Sequence, residues 1–523
     1  MKRLLVVLLG LVLCVSFAAA GAQGEKEETE FIIWNGAEPE SLDPHLISGV
    51  PEHRIYESIF EGLTIYDPKS ARGIPGLAES WEISDDGLVY TFKLRKANWS
   101  DGVPITAQTV VDSWVRMLDP EIAAPYAWFP SMAIKGAAEY NAGEAGPEAL
   151  KIKALDDMTF QMELVGPLPY VIDMLPHYSF AVVPMHAIEK FGDDWTKPEN
   201  FVGNGPFVVD DWRPLETLTC VKNDEYWDAD AVKLDRVTYL PTDDNNVGYN
   251  LFINGEADWA TQIPLDQMDA AKLKDEFHVN KYLGTYYYVF QNEVAPFSDV
   301  RVRKALTMSI DRETLVEKVT RAGEQAGVSM VPPMEGYTPA KGNATDVETA
   351  RKLLAEAGFP GGKGFPKFQL LYNTSERHKQ IAEFIQQEWE ENLGIQVELF
   401  NQEWKTYLTT RREGQFQVAR AGWIGDYPDP NTFLDMFVTG TAMNGGRYTN
   451  PKYDELIAKA ATMAAGPERF EVLRQAEEIF ITQDQGVMPI YAYTVQNMID
   501  LDIWGGWYPN VMDYHPTKNI FKK

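Results

Sequence analysis

Two kinds of hydrophobic pattern run along this chain, and they are ordered differently in its first and last thirds. Near the start, Phe31-Ile-Ile-Trp34 is a compact apolar run of strand type. Loop segments follow at Leu42-Asp-Pro-His45 and Gly49-Val-Pro-Glu52, and then a helix with apolar positions at Ile55, Ile59 and Phe60, closed at Gly62. Leu88-Val-Tyr-Thr-Phe-Lys-Leu94 alternates apolar and polar side chains after Asp85-Asp86-Gly87, a sequence suited to a hairpin turn. Thr106 supplies an N-cap hydroxyl for a helix running towards Trp114.

The last third alternates strands and helices. Thr345-Asp-Val-Glu348 has the form of a capping box ahead of Leu353 and Leu354, and Gly358 ends that helix. Phe368 to Tyr372 reads as a strand. Ser375 caps a helix with Ile381, Phe384, Ile385 and Trp389 on one face; Gly394 stops it, and Ile395 to Leu399 forms the next strand. Strand, helix and strand with short connections predict a right-handed βαβ unit on a parallel sheet. Phe416 to Arg420 is a further strand, after which Arg420 to Asp426 reads as a loop leading into the Pro-punctuated turn up to Phe433. Hairpins first and βαβ units last give an α/β chain with mixed sheets and several lobes.

At 523 residues, two or three domains are expected. Residues 1–22 have the form of an export signal: Lys2 and Arg3, an apolar run from Leu4 to Val15, then small residues at Ala18-Ala19-Ala20 and Ala20-Gly21-Ala22. A periplasmic location is expected. Cys14 offers a lipid anchor as an alternative, although Leu13 before it is larger than such signals prefer. Cleavage leaves Cys220, which reads as a buried apolar residue and supports neither a disulfide nor a thiolate metal site. A formal charge of −30 argues against nucleic acid as a partner.

Catalytic motifs are absent from the sequence. Its seven histidines form no H-E-x-x-H or H-x-H cluster, and there is no G-x-S-x-G, Walker or dinucleotide-binding pattern. No metal or cofactor is expected. Arg420-Ala-Gly-Trp-Ile-Gly-Asp426 instead places a cation, an indole and a carboxylate within seven residues, a set able to hold a ligand's amine, carboxylate and apolar surface. Trp404 and Arg411 fall on the preceding element, and Gly422 permits close backbone approach. Asp429, beside Pro428, reads as a turn former.

Nine segments resemble, in order, the periplasmic oligopeptide-binding receptors of ABC importers. They are Ser41 to His45, Gly49 to Glu52, Phe60 to Leu63, Leu77 to Trp81, Trp99 to Gly102, Gly203 to Phe207, Tyr282 to Tyr288, Pro296 to Arg303 and Ala419 to Trp423. The resemblance implies a bilobal binding-protein fold with a third lobe and a hinge. Its domains would be a discontinuous first one (31–61, 187–283 and 495–523), an extra lobe (62–186) and a second ligand-binding lobe (284–494). It implies an extended oligopeptide gripped between lobes and handed to membrane permease subunits by a monomeric, non-enzymatic receptor. Asp426 would hold the peptide amine. Gly422, Gly49 and Val50 would meet the peptide backbone, and Arg411 and Arg420 would stand near the cleft. Trp404, Trp423, Tyr126, Tyr282 and Tyr287 would wall the side-chain pockets.

Ser48 stands at a position that is acidic in the enterobacterial receptors, and Gly284 and Ile424 stand where those receptors carry a cysteine pair. The same fold could take a dipeptide, metal chelate, opine or oligosaccharide. A secreted peptide or glycan hydrolase is the alternative from another class.

Overall fold

The computed structural model describes residues 28–523, apart from positions 169, 335 and 464–465. The export signal and Cys14 lie outside the described residues. Eleven strands form one mixed sheet. Its path runs Val397–Gln402, Phe368–Asn373, Val418–Ile424, Phe277–Phe290, Val487–Ile499, Trp259–Ala260, Glu30–Trp34, Arg236–Leu240, Thr217–Lys222 and Phe207–Arg213, with Gln325–Ala326 paired to the side of Val487–Ile499. A separate four-stranded sheet is built from Ala78–Ile83, Val89–Leu94, Thr159–Glu163 and Ile152–Asp156.

The expected hairpin is there: Ala78–Ile83 and Val89–Leu94 are antiparallel, and Gly87 takes φ 73°, a conformation that favours glycine. Thr106 caps the helix Ala107–Leu118 in a reciprocal box with Thr109. The βαβ unit is also formed, with Phe368–Asn373 and Val397–Gln402 parallel and the helix Glu376–Leu393 between them. Gly394 ends that helix at φ 69°, and its carbonyl lies where a side chain on Gly362 would collide with it. The glycine-rich 361–364 segment is thus a tight packing turn.

Three local expectations need correction. Gly49 to Glu52 is not a loop throughout, because Pro51 in the first turn helps open the helix Val50–Ile59, with Gly49 at its N-cap. The helix Val347–Glu356 is capped by Asp346, which accepts from Thr349 N at 3.0 Å, while Thr345 Oγ1 donates to the Ile310 carbonyl at 2.6 Å. An aspartate one residue on replaces the threonine because its carboxylate reaches the free amide directly. The Arg420–Asp426 segment is not a loop as far as Ile424: it continues the strand Val418–Ile424, in register with Gly284 to Phe290. Gly422 weakens a strand read from sequence but is tolerated here because its neighbours supply the packing.

Two long strands, Phe277–Phe290 and Val487–Ile499, run through both halves of the large sheet. Their pairing shifts register between Tyr286 and Tyr287 and, more widely, at a break where Lys281 pairs with Thr494 but Thr285 with Ala492. Between those pairs one strand advances four residues and the other two. Leu283 leaves the ladder there, donating to the Val511 carbonyl at 2.8 Å and accepting from Gly425 N at 2.7 Å.

One half packs Trp389 and Ile385 of the 376–393 helix against Phe368, Leu370, Val418 and Met488. A second apolar cluster gathers Trp34, Tyr249, Ala260 and Met498. Cys220 is fully buried on its strand. Among the described residues, no helix is long and apolar enough to cross a membrane, and no group of three or more metal-ligating side chains occurs.

Candidate ligand-binding cleft

Two adjoining cavities open beside the break in the long strands. They share Val50, Trp404, Arg420, Gly422 and Ile424 as common walls. The alternation of the 418–424 strand explains much of this, since Arg420, Gly422 and Ile424 lie on one face. Trp404 is the first residue of the helix Trp404–Arg412, which Glu403 caps by accepting from Lys405 N and Thr406 N. That start directs the indole across the cleft, where Nε1 donates to Glu52 Oε1 at 3.4 Å. A second bridge nearby joins Arg412 Nη2 to Glu40 Oε1 at 2.6 Å.

The smaller cavity, of about 100 Å³, is lined by Ser48, Gly49, Val50, Tyr126, Trp404, Arg411, Trp423 and Asp426 together with His53, His177, Tyr178 and Tyr514. Its walls are largely aromatic: Tyr126 stacks on Trp423 at 6.4 Å, and His53 stacks on Tyr514 at 4.3 Å. Asp426 is 6 % exposed. His177 Nε2 lies 3.5 Å from its Oδ1, while Oδ2 has no hydrogen-bond partner among the described residues. Burial, reinforced by the nearby Asp435 carboxylate, raises the Asp426 carboxyl well above the ordinary aspartate value. Burial likewise lowers His177 well below the ordinary histidine value, and His53 to about 3 with Arg54 adding to the effect. Asp426 therefore faces neutral rings. A buried carboxyl without a cation is costly to ionise, and a ligand ammonium would complete it. Burial also pushes Glu52, behind Trp404, up to about 7.

The larger cavity, of about 260 Å³, has a different character. Arg420, 9 % exposed, donates from Nη2 to Tyr493 Oη at 2.8 Å and from Nη1 to Asn373 at 3.3 Å, and lies 4.8 Å from the Tyr286 ring centroid. Gly422 makes this possible, because a Cβ there would stand 2.5 Å from Tyr493 Oη and 3.1 Å from Arg420 Nη2. Tyr493 sits inside the register break of the long strands, so Arg420 is tied to the most irregular point of the sheet. Tyr282, in the same break, contributes the opposite wall with its ring 6.1 Å from Tyr493.

Of the residues singled out from sequence, Ser48, Gly49, Val50, Tyr126, Trp404, Arg411, Arg420, Gly422, Trp423 and Asp426 line the smaller cavity, and Tyr282 lines the larger. Tyr287 lines neither; it is buried edge-on to Phe437 at 6.1 Å, on the strand opposite Ala421. Asp429 does cap the turn by accepting from Asn431 N, but it also forms a fully buried pair with Arg469 at 2.7 Å. Sequence reasoning missed His177 and Tyr178, which stand alone in a segment without motifs. It also missed Arg377 and His378. Their signal was position: they follow directly the C-terminal end of a parallel strand, where α/β sheets place ligands.

Residues 73–445 match the family of bacterial extracellular solute-binding proteins, family 5 Middle. The chain is 39% identical over 520 residues to the periplasmic oligopeptide-binding protein OppA of Salmonella typhimurium, covering 96% of this chain and 93% of that one. Among solved structures, a periplasmic oligopeptide-binding protein (OppAIV) of Borrelia burgdorferi superposes with a TM-score of 0.92 at 39% identity, covering 95% of this chain and 100% of that one. Haemophilus influenzae OppA in complex with RPPGFSPFR gives 0.90 at 34% identity, covering 95% and 99%.

Two structures of the murein tripeptide binding protein MppA, the first from Escherichia coli, separate conformation from sequence. Both are 34% identical and cover 95% of this chain; one gives 0.89 and covers 99% of its own chain, while the unliganded open form gives 0.64 and covers 98%. The structure superposes far better on the peptide complex than on that open form. The chain belongs to the family 5 bacterial extracellular solute-binding proteins.

Proposed function

We propose that this protein is the substrate-binding component of an ABC importer, capturing oligopeptides in an extended conformation in the cleft and delivering them to a membrane permease. The single observation that carries this reading is Asp426: a buried carboxyl facing neutral rings, with Oδ2 unpartnered. A peptide's α-ammonium is the cation such a site lacks. The names of the relatives support the same cargo. Backbone pairing along Gly49, Val50 and Gly422 would make affinity largely independent of side chains.

The hinge is assigned to residues 281–285 and 492–494, because the ladder loses register there. The register shift supports lobe boundaries at 283/284 and 494/495, and the proposed lobes are a first domain of 31–61, 187–283 and 495–523, an extra lobe of 62–186, and a second binding lobe of 284–494. Export to the periplasm fits this role.

A hydrolase is the weaker reading. Ser179 Oγ lies 2.9 Å from His177 Nδ1, and His177 Nε2 faces Asp426, an order that superficially suits nucleophilic catalysis. However, Ser179 is fully buried and lines neither cavity, so no substrate carbonyl reaches it. His177 Nδ1 is occupied instead in capping the turn at Ser179 N.

Calorimetry with trialanine and its N-acetyl derivative at pH 7 tests the reading. The free amine is expected to bind at least about 100-fold more tightly, since an unpaired buried charge costs about 3–5 kcal/mol. Equal affinities would remove the role given to Asp426.

A further inference from the structure

The loop that carries Asp426 is held from behind by groups that line neither cavity. Arg469, 1 % exposed, donates from Nη1 to Asp429 Oδ2 at 2.7 Å and from Nε to the Ala460 carbonyl at 3.0 Å. Asp429 Oδ1 in turn accepts from Asn431 N at 2.9 Å. The adjoining Thr432 hydroxyl accepts from Asp426 N at 3.0 Å and from Trp423 Nε1 at 3.4 Å. Asn431 Nδ2 donates to Tyr427 Oη at 3.1 Å and to Asp435 Oδ2 at 2.8 Å. The loop is thus tied to itself, and the Arg469 guanidinium fastens it to the helix Pro467–Glu477.

A third partner of this guanidinium comes from the extra lobe. Arg469 Nη2 donates to Tyr170 Oη at 3.3 Å, and its Cζ lies 5.2 Å from the Tyr170 ring centroid. The same ring stacks on Tyr427 of the loop, with centroids 4.6 Å apart at 11°. Phe129, also of the extra lobe, lies 5.7 Å from Tyr427 at 23°. Just before Tyr170 in the chain, Gly166 approaches the end of the helix Pro451–Ala461 closely. A Cβ there would stand 3.2 Å from the Ala461 carbonyl oxygen.

Asp429 and Ala460 belong to the same lobe as Arg469, but Tyr170 does not. Parting the lobes removes Tyr170 and turns the Arg469–Asp429 pair towards water, where such pairs are weak. Seating Tyr170 excludes that water, and the pair strengthens in the lower dielectric around the rings. The tyrosine hydroxyl also accepts from a guanidinium N–H that burial would otherwise leave unpaired. Closure therefore stiffens the loop as Asp426 meets a ligand ammonium. Tyr170 does not shut the cleft by itself, because closing also buries the Asp426 carboxyl.

We propose that the extra lobe acts in peptide capture as a latch: Tyr170 seats on Tyr427 and Arg469 when the cleft closes, and Arg469, acting through Asp429, is a positioning residue for the Asp426 carboxylate. The inference rests on the peptide reading and the lobe division above, and it gives the extra lobe a task beyond walling the smaller cavity.

Trialanine and its N-acetyl derivative separate the two roles, with calorimetry for affinity and stopped-flow mixing for dissociation. Tyr170→Ala removes a ring stack and a hydrogen bond to a charged group from the closed form alone. Both peptides should then dissociate at least about tenfold faster, with little change in association. Tyr170→Phe, which keeps the stack, should fall between the two. Arg469→Met should weaken trialanine at least about tenfold more than the acetylated peptide, because only trialanine uses the positioned carboxylate. A merely structural loss would weaken both alike. Arg469→Lys keeps the charge and should restore most of the difference. Circular dichroism melting checks folding, and Asp429→Asn, which should reproduce the selective loss, serves if Arg469→Met does not fold. Unchanged dissociation in Tyr170→Ala overturns the latch, and an equal loss for the two peptides in Arg469→Met or Asp429→Asn overturns the positioning role. A parent protein that binds both peptides equally rejects the amine site instead, and Tyr170→Ala still decides the latch. Binding of neither peptide rejects both.

Discussion

Asp426 makes affinity depend on pH in a way that differs between two forms of one peptide. With the lobes apart, the carboxylate would be solvated and ionised near its ordinary value of 3.8. Closing the cleft buries it beside neutral His177 and near Asp435. A ligand ammonium allows the carboxylate to stay charged. An N-acetylated ligand does not, so closure over it requires a proton. Protonating an ordinary aspartate costs about 4.4 kcal/mol at pH 7 and about 1.6 kcal/mol at pH 5, at about 1.4 kcal/mol per pH unit. The closed complex binds one more proton than the open protein, and affinity for the acetylated peptide should therefore rise as pH falls. Read as the ratio of the two affinities, in which proton uptake common to both peptides cancels, the expected gain is about 100-fold between pH 7 and pH 5. Asp426→Asn mimics the neutral carboxyl. It should bind acetylated trialanine at pH 7 more tightly than the parent protein does, lose the tenfold-per-unit slope, and bind free trialanine more weakly by about 3 kcal/mol. The other groups facing this carboxyl leave the slope assignable: His53 titrates near 3 and His177 well below its ordinary value. Glu52, pushed up to about 7, contributes equally to both peptides and survives in the variant. Competition calorimetry at pH 5, 6 and 7 gives all the slopes. A pH-independent ratio of acetylated to free-amine affinity in the parent protein, or the same pH dependence of that ratio in Asp426→Asn, would refute the reasoning.

Gly49→Ala should leave the melting temperature of the ligand-free protein nearly unchanged but lower peptide affinity at least about tenfold. The new Cβ meets Glu52 Oε2 and stands 3.0 Å from Trp404, a contact made across the cleft, and forced overpacking typically costs about 1–3 kcal/mol; calorimetry and thermal melting together check it. Gly284 and Ile424 are directly opposite in the ladder, next to the Gly425-to-Leu283 hydrogen bond, and so form a pair of the closely spaced kind. The double replacement Gly284→Cys with Ile424→Cys should form a disulfide within reach of ordinary geometry. It should raise the melting temperature reversibly with dithiothreitol, by an amount equivalent to about 2–4 kcal/mol at most; free-thiol titration and paired melts check it.

Local pattern was enough for the elements whose periodicity agrees with their packing. The 368–399 βαβ unit and the 85–94 hairpin are of that kind, since each closes within about thirty residues and carries its own turn signals. The Gly422 strand was not legible, because what holds it is Tyr493 from seventy residues away and Tyr286 on the opposite strand. A glycine beside a tryptophan reads as a loop until those partners are known. The cation–indole–carboxylate cluster was visible because its members are close in sequence, and resemblance added Gly49, Val50 and Tyr126 from distant segments. Arg54 and Arg377 escaped both approaches. Each looks like an ordinary surface charge on an amphipathic helix, and only the fold shows that both line one cavity.

Charge within the cleft also bears on how it closes. Bridges such as Arg412 to Glu40 and Trp404 to Glu52 span the cleft, but the first is partly exposed and the second long, so together they hold the lobes weakly. Stronger native ion pairs across the cleft would shut it without cargo. Instead Asp426 faces neutral His177, and Arg420, on the same strand and loop, is held by Tyr493 and Asn373 with no carboxylate among its partners in the described residues. An empty closed cleft then carries the desolvation cost of both groups, and only a ligand of complementary charge offsets it. Peptide is thereby required for closure as well as bound by it. This coupling comes from residues that make the closed form less stable on its own, which is why replacing Asp426 by asparagine should loosen the grip on a free amine and at the same time relax the demand for one.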